Sequence, residues 1–307
     1  MQPPTIEETN VKKNSMPLAG KAEKAEKRGT WLYRAAVYVA LSAVTATAFA
    51  AQDFGKCEVT GQKGSVKLTT VVPGTLSVRP VLGVPGWWNG DSPDTIKDGF
   101  EYCMAANMAY RAGLDHVALV SRSFQQILTG KSEGFDIALS EITITEPRKQ
   151  VVNFTVPYFN SDQGILVKAG TKVDKKNLSS LRYAVERGTT AYDYIVEKVR
   201  PTEQPKVFND PPSMYTALAA GQVDAVVYDT PNVLLRAKNS NGALEVVGRF
   251  DTGEKWGGLV NKDSPNLAAF NQLIEGMKKD GTFEKLTSKY LTPELGADPT
   301  KVPVLNP

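Results

Sequence analysis

The chain has 307 residues, enough for two domains or one large one. Apolar residues at 41% and charged residues at 22% exclude a disordered, collagen-like or multi-pass membrane chain. The two cysteines exclude a four-cysteine zinc module, the single histidine, His116, excludes a histidine-rich metal site, and no metal or cofactor is expected.

Residues 1–50 carry seven Lys/Arg against four Asp/Glu, while the rest balances at 29 against 29. The basic surplus therefore belongs to the N-terminal segment, and no nucleic-acid partner is expected of the body. That segment is polar and lysine-rich to Arg28, then apolar from Trp31, and free of charge from Ala35 to Ala50. It ends in Ala48-Phe49-Ala50, a small-x-small pattern before Gln52-Asp53. These are the three parts of a signal peptide, with cleavage expected after Ala50 and release into the periplasm. An uncleaved anchor with Arg34 snorkelling is the other reading of the same stretch. Export permits a Cys57–Cys103 disulfide; two unpaired cysteines fit the sequence equally well.

Along the body, residues 51–65 read as a lead-in. Leu76–Leu82 reads as a first strand, Phe100–Arg111 as a helix with Phe100, Met104 and Met108 on one face, and Val117–Val120 as a strand. Two segments share a pattern. Phe124–Leu128, Gly130 and Phe135-Asp136-Ile-Ala-Leu139 are matched by Met214–Ala219, Gly221 and Val223-Asp224-Ala-Val-Val227. Each is a short helix, a glycine stop, an aspartate and a buried strand. The pattern predicts two similar α/β lobes with largely parallel sheets. Tyr183–Val185 enters the turn Arg187-Gly188-Thr189-Thr190, and Leu267–Lys279 is a late amphipathic helix.

The run from Phe135 to Tyr158, centred on Ser140-Glu141-Ile142-Thr143-Ile144-Thr145-Glu146-Pro147-Arg148, resembles the central motif of the bacterial extracellular solute-binding proteins of family 3. Pro73–Val78, Gly99-Phe100, Gly188-Thr189-Thr190, Gly221–Ala225 and Asp280–Phe283 follow in the expected order, so the resemblance covers about residues 66–292. It implies an α/β two-lobe periplasmic-binding-protein fold of type II with a two-segment hinge. Lobe one is expected over 66–167 and 253–292, lobe two over 168–252, and a tail over 293–307. It also implies a monomer that captures an amino acid or close derivative by lobe closure and delivers it to the permease of an ABC importer.

Arg148 offers a planar donor fork suited to a carboxylate. The resemblance makes it the clamp on a ligand α-carboxylate, helped by the backbone at Thr143. Gly188, Thr189 and Thr190 would grip the same group from lobe two, where a glycine lets the backbone approach and a threonine offers N–H and hydroxyl. Asp229, at the mouth of a buried strand, would pair with the ligand ammonium. Read without the resemblance, Arg148 also fits a surface ion pair and Asp229 also fits a helix cap. Phe124, Trp87 and Trp88 are candidate walls, with one tryptophan expected to line the cleft and the other to pack. Ser140 is followed by Glu141 where the family carries a small residue, which would approach the ammonium or narrow the pocket.

Two other readings compete. The same fold supports periplasmic dehydratases of the cyclohexadienyl or prephenate type, which use an added carboxylate after the lobe-two Gly-Thr turn; here Ala191 and Tyr192 follow it. No nucleophile–base pair is visible, so no catalytic residue is assigned. A membrane-tethered sensor lobe would need an output domain beyond Pro307.

Overall fold

A computed structural model describes residues 53–130 and 134–307. The expected signal segment and its cleavage point lie outside the described residues. In chain order these form β1 (Thr75–Arg79), α1 (Phe100–Arg111), β2 (His116–Leu119), α2 (Phe124–Leu128), β3 (Ile137–Ala138), α3 (Glu146–Lys149), β4 (Val152–Phe154) and β5 (Phe159–Lys168). There follow β6 (Tyr183–Glu186), α4 (Thr190–Tyr194), β7 (Lys206–Phe208), α5 (Pro211–Ala219), β8 (Ala225–Asp229) and α6 (Thr230–Lys238). The chain continues through β9 (Leu244–Trp256), β10 (Leu259–Asn261), α7 (Leu267–Lys279), α8 (Thr282–Leu286) and α9 (Thr292–Leu295).

Two five-stranded sheets result, one per lobe, in the orders β2-β1-β3-β10-β4 and β7-β6-β8-β5-β9. Each is mixed rather than mostly parallel. β1 runs parallel to β2 and β3, and β6 to β7 and β8, but β10 and β5 pair antiparallel with both of their neighbours. The strands adjoining the crossings return through the sheet without an intervening helix, so they run against it.

The repeated helix–glycine–aspartate–strand unit is present in both lobes, and its aspartates are structural. Asp136 accepts from the N–H groups of Val71 and Ser77 at 2.9 and 2.8 Å. Asp224 accepts from the Arg182 backbone at 2.9 Å and from its guanidinium.

α1 is the central helix of lobe one, buried along nearly its whole length. It follows Gly99, at φ 119°, where a Cβ would stand 2.3 Å from the Trp87 carbonyl oxygen, so the close approach admits only glycine. Cys57 and Cys103 are joined in a disulfide with Cα atoms 5.3 Å apart. The bond fastens the lead-in to α1, and Phe54 joins the same core.

β5 corrects one boundary. The sequence reading assigned residues to 167 to lobe one, yet β5 pairs with β9 from Phe159 and with β8 from Gln163. Pro157 interrupts the apolar run and marks where the chain leaves the first sheet; Ile165, Leu166 and Val167 then fill a strand buried on both faces. The two crossings lie side by side where Phe159 faces Trp256, their rings stacked at 5.0 Å. The tail returns to lobe two: Val304 bridges to Arg249, and Leu305 occupies the space over Gly248. No helix among the described residues is long and apolar enough to cross a membrane.

Candidate ligand-binding site

The lobes meet over a polar cleft, where Arg148 and Thr143 of lobe one approach Gly188 and Thr190 of lobe two. Thr145 caps α3, its hydroxyl accepting the Arg148 N–H, so the short helix presents the guanidinium at a strand end. Arg148 donates from Nη1 to the Thr143 carbonyl at 2.6 Å and from Nη2 to the Gly188 carbonyl at 3.0 Å. The ring of Phe124 lies beneath it, 5.4 Å from the guanidinium carbon. Burial pulls this guanidinium below its ordinary value, against the opposing fields of Glu254, Asp193 and Asp229.

On the lobe-two side Gly188 has φ 79°, a left-handed conformation that suits glycine, and its face looks at Leu128 and Gln125 of α2. Thr189 caps α4, accepting from the Tyr192 N–H and donating to the Glu186 carbonyl, so its hydroxyl is committed to the turn. Thr190 is the freer of the pair and donates to Glu254 Oε2 at 2.9 Å.

Asp229 ends β8 and is buried, and its side chain makes no capping bond to α6. It accepts from Gln163 Nε2 at 3.2 Å. Burial holds its carboxyl well above the usual carboxylate range, reinforced by Glu254 and Glu186 and opposed by Arg148.

Both tryptophans are buried, and they differ in their partners. Trp87 donates from Nε1 to Asn232 of α6 at 2.6 Å, a bond between the lobes. Trp88 turns into lobe one and donates to Glu101 at 2.6 Å. Ser140 accepts the Val81 N–H at 2.5 Å and holds the loop after β1 rather than facing the cleft.

Glu141 has φ 53°, a left-handed conformation. Its N–H donates to Glu101 at 2.9 Å, and its buried carboxylate accepts from Asn232. Burial, then the charges of Glu101 and Asp229, hold it well above its ordinary value.

Sequence reasoning missed four residues here. Glu254 is the hub of the cleft, accepting from Thr143 and Thr190 of opposite lobes and from Gln163. Gln163 on β5 joins it to Asp229, while Asn232 and Glu101 flank Glu141. Gln163 and Glu254 lie near the two expected lobe boundaries, at 167/168 and 252/253, a position rather than a motif. The others are reached by pairing across a sheet and between lobes. An open cleft of about 610 Å³ is bordered by Thr143, Thr145, Thr190, Asp193, Tyr194 and Glu254. Among the described residues no group of three or more His, Cys, Asp or Glu is arranged to hold a metal.

Two α/β lobes joined by paired crossings, closing on a buried polar cleft, define a periplasmic-binding-protein fold of type II. Residues 92–293 match the family model of the bacterial extracellular solute-binding proteins, family 3, and the chain belongs to that family. Among its relatives, the L-cystine-binding protein TcyJ of Escherichia coli K12 is 28% identical over 207 residues, covering 66% of this chain and 76% of that protein. A probable histidine-binding protein of Neisseria gonorrhoeae is 30% identical over 209 residues, 65% and 76% of the two chains. Among solved structures, an ancestral arginine-binding protein bound to glutamine superposes with a TM-score of 0.66 at 30% identity, over 74% of this chain and 100% of that one. The arginine-, lysine-, histidine-binding protein ArtJ of Geobacillus stearothermophilus gives 0.65 at 25% identity, over 72% and 96%.

Proposed function

We propose that this chain is the substrate-binding protein of an ABC importer, capturing an amino acid or close derivative by closure of its lobes and presenting it to the membrane permease. The observation that carries this reading is the placement of Arg148. It projects from lobe one against the Gly188 turn of lobe two, with Asp229 inside the same cleft. A zwitterion with one carboxylate and one ammonium is the simplest ligand that answers both charges. Buried, the contacts strengthen and closure becomes the signal the transporter reads.

The hinge would be the paired crossings at Phe159 and Trp256, with lobe one over about 66–158 and 257–292. Lobe two would span about 159–256, joined by the tail 293–307. Secretion by the segment 1–50, cleavage after Ala50 and a monomeric state belong to the same reading. Binding without chemical turnover fits Ala191 and Tyr192, which stand where the dehydratases of this fold carry their added carboxylate.

The test is calorimetric screening of the chain from Ala51 against the amino acids, followed by small-angle scattering of the saturated protein. One amino acid should bind at micromolar affinity or better and reduce the radius of gyration. Failure of every amino acid to bind, or an unchanged radius at saturation, contradicts the reading.

A further inference from the structure

Residues 290–307 begin on one lobe and end on the other. Tyr290 and Leu291 are buried in the lobe-one core, and Leu295 packs against it. Gly296, Ala297 and Asp298 are exposed. The chain then docks on β9 of lobe two. The Arg249 N–H donates to the Pro303 carbonyl at 2.8 Å, and the Leu305 N–H donates to the Arg249 carbonyl at 2.9 Å. The Asp251 N–H donates to Asn306 at 2.9 Å. β9 is the edge strand of its sheet, so these bonds satisfy groups that an edge leaves open. Leu305 packs on the lobe-two core over Gly248. The family match ends at residue 293, so this dock lies beyond the part of the chain that the family model covers.

A second observation ties the dock to the hinge. Arg249 donates from Nε to the Val302 carbonyl at 3.1 Å, and from Nη1 to Asp162 on β5. Asp162 in turn accepts the N–H groups of Thr252 and Gly253 at 3.1 and 3.0 Å. One side chain thus links the tail to both strands just beyond the crossings at Phe159 and Trp256. A cavity of about 450 Å³ separates tail from crossings, bordered by Phe159, Asp162, Glu254, Pro299 and Thr300. The tail passes over the crossings with space beneath it.

The span has little slack. Pro299–Lys301 is a 3-10 turn pinned by Asp298, which accepts from the Thr300 N–H at 2.9 Å and its hydroxyl at 2.7 Å. Such a turn rises about 2.0 Å per residue and an extended chain about 3.3–3.6 Å, so unwinding it releases only about 4 Å. A rotation that parts the two anchors much further pulls the tail off β9.

We propose that residues 296–307 are a strap across the hinge, a third connection that limits how far the empty lobes part. This rests on the hinge placed above at the paired crossings. The strap acts on opening and not on ligand contact, since neither Arg249 nor any tail residue borders the 610 Å³ cleft. By keeping the closed form populated without ligand, it raises the apparent affinity for whatever the cleft binds.

The experiment measures the distance between nitroxides by double electron–electron resonance in the ligand-free chain from Ala51. The labels sit on Glu146→Cys, beside Thr145 on the lobe-one rim of the cleft, and on Glu197→Cys, on the lobe-two rim. Two variants release the strap from opposite partners. Leu305→Asp puts a charge on the apolar contact, and Gly248→Val adds a Cβ that would stand 2.3 Å from Leu305 Cδ1. Each should broaden the distribution and lengthen its mean by more than about 4 Å relative to the strapped chain. Should one variant not fold, the other decides. Distances that match the strapped chain overturn the proposal, and a lower melting temperature with unchanged distances overturns it too, leaving the tail a stabilising cover. The readout needs no ligand, so a failed strap leaves the amino-acid reading intact. Failure of every amino acid to bind in the calorimetric screen contradicts that reading and not the strap.

Discussion

Arg148 and Gly188 are 40 residues apart in sequence and joined by a 3.0 Å hydrogen bond across the two lobes. The donor comes from the end of a four-residue helix and the acceptor from a turn that a positive φ makes possible. The candidate carboxylate clamp is thereby also a latch between the lobes.

The turn is sensitive to any side chain at position 188. A Cβ there would meet Leu128 at 3.6 Å, an ordinary contact, so the cost of Gly188→Ala is the left-handed backbone. That costs about 1–2 kcal/mol. Calorimetry should show a melting point lower by several degrees and weaker binding of the same ligand. An unchanged melting point means the turn is not held at φ 79°.

Trp87→Phe should act on closure. The aromatic cluster of Trp87, Phe100, Phe159 and Trp256 keeps a ring, but Asn232 loses its donor across the lobes. Leaving that buried acceptor unpaired costs about 1–3 kcal/mol. Scattering should report a more open unliganded protein, and affinity should fall by roughly one to two decades. Trp88→Phe, whose partner lies within lobe one, should leave the open–closed balance unchanged.

The disulfide belongs to stability rather than to binding. Its bond closes a 46-residue separation between the lead-in and α1, within the lobe-one core. Replacing both cysteines by serine should lower unfolding free energy by about 3–4 kcal/mol. Ligand affinity should stay within about twofold of the wild type, measured below the new melting point.

Stability should fall as pH rises from about 5 to about 8. Burial pushes Glu101 up to about 7, against hydrogen bonds from Tyr158, Glu141 and Trp88, and pushes Glu186 up to about 8 against Tyr228. Both are ordinary glutamates near 4.5 when unfolded. Between those values the folded chain holds protons that the unfolded chain has lost, so raising the pH favours unfolding. The two groups contribute on the order of 2–4 kcal/mol each to this drift, Glu186 the more. Denaturation of the unliganded protein across the range should show it, and Glu186→Gln should flatten the upper part. A rise in stability toward pH 8 contradicts the burial argument.

How much the sequence discloses depends on the distance over which each residue acts. α1 and α7 have the bounds their apolar spacing predicts, because a helix face is written within a dozen residues. Arg148, Gly188 and Asp229 are marked by motifs a few residues long. Gln163 and Glu254 carry no such mark, since their meaning comes from pairing across β5 and β9 and from closure. The continuous apolar run of β5 hides which sheet it joins, as a doubly buried strand has no alternation to read. Glu141 stood out as an acid in a small-residue position; its link to Asn232 depends on α6 of the other lobe.

The most direct test of the account is calorimetry on Arg148→Ala and Arg148→Lys with the amino acid that binds the wild type. Removing the guanidinium leaves the ligand carboxylate buried without its main partner, which costs about 3–5 kcal/mol or roughly two to three and a half decades of affinity. Lysine restores part of the loss, because an ammonium lacks the planar fork. Both variants should fold, since the side chain is half-buried at the cleft rather than set in either core. A folded Arg148→Ala that binds within about threefold of the wild type, roughly 0.7 kcal/mol, would contradict the assignment of Arg148 as the carboxylate clamp and with it the site.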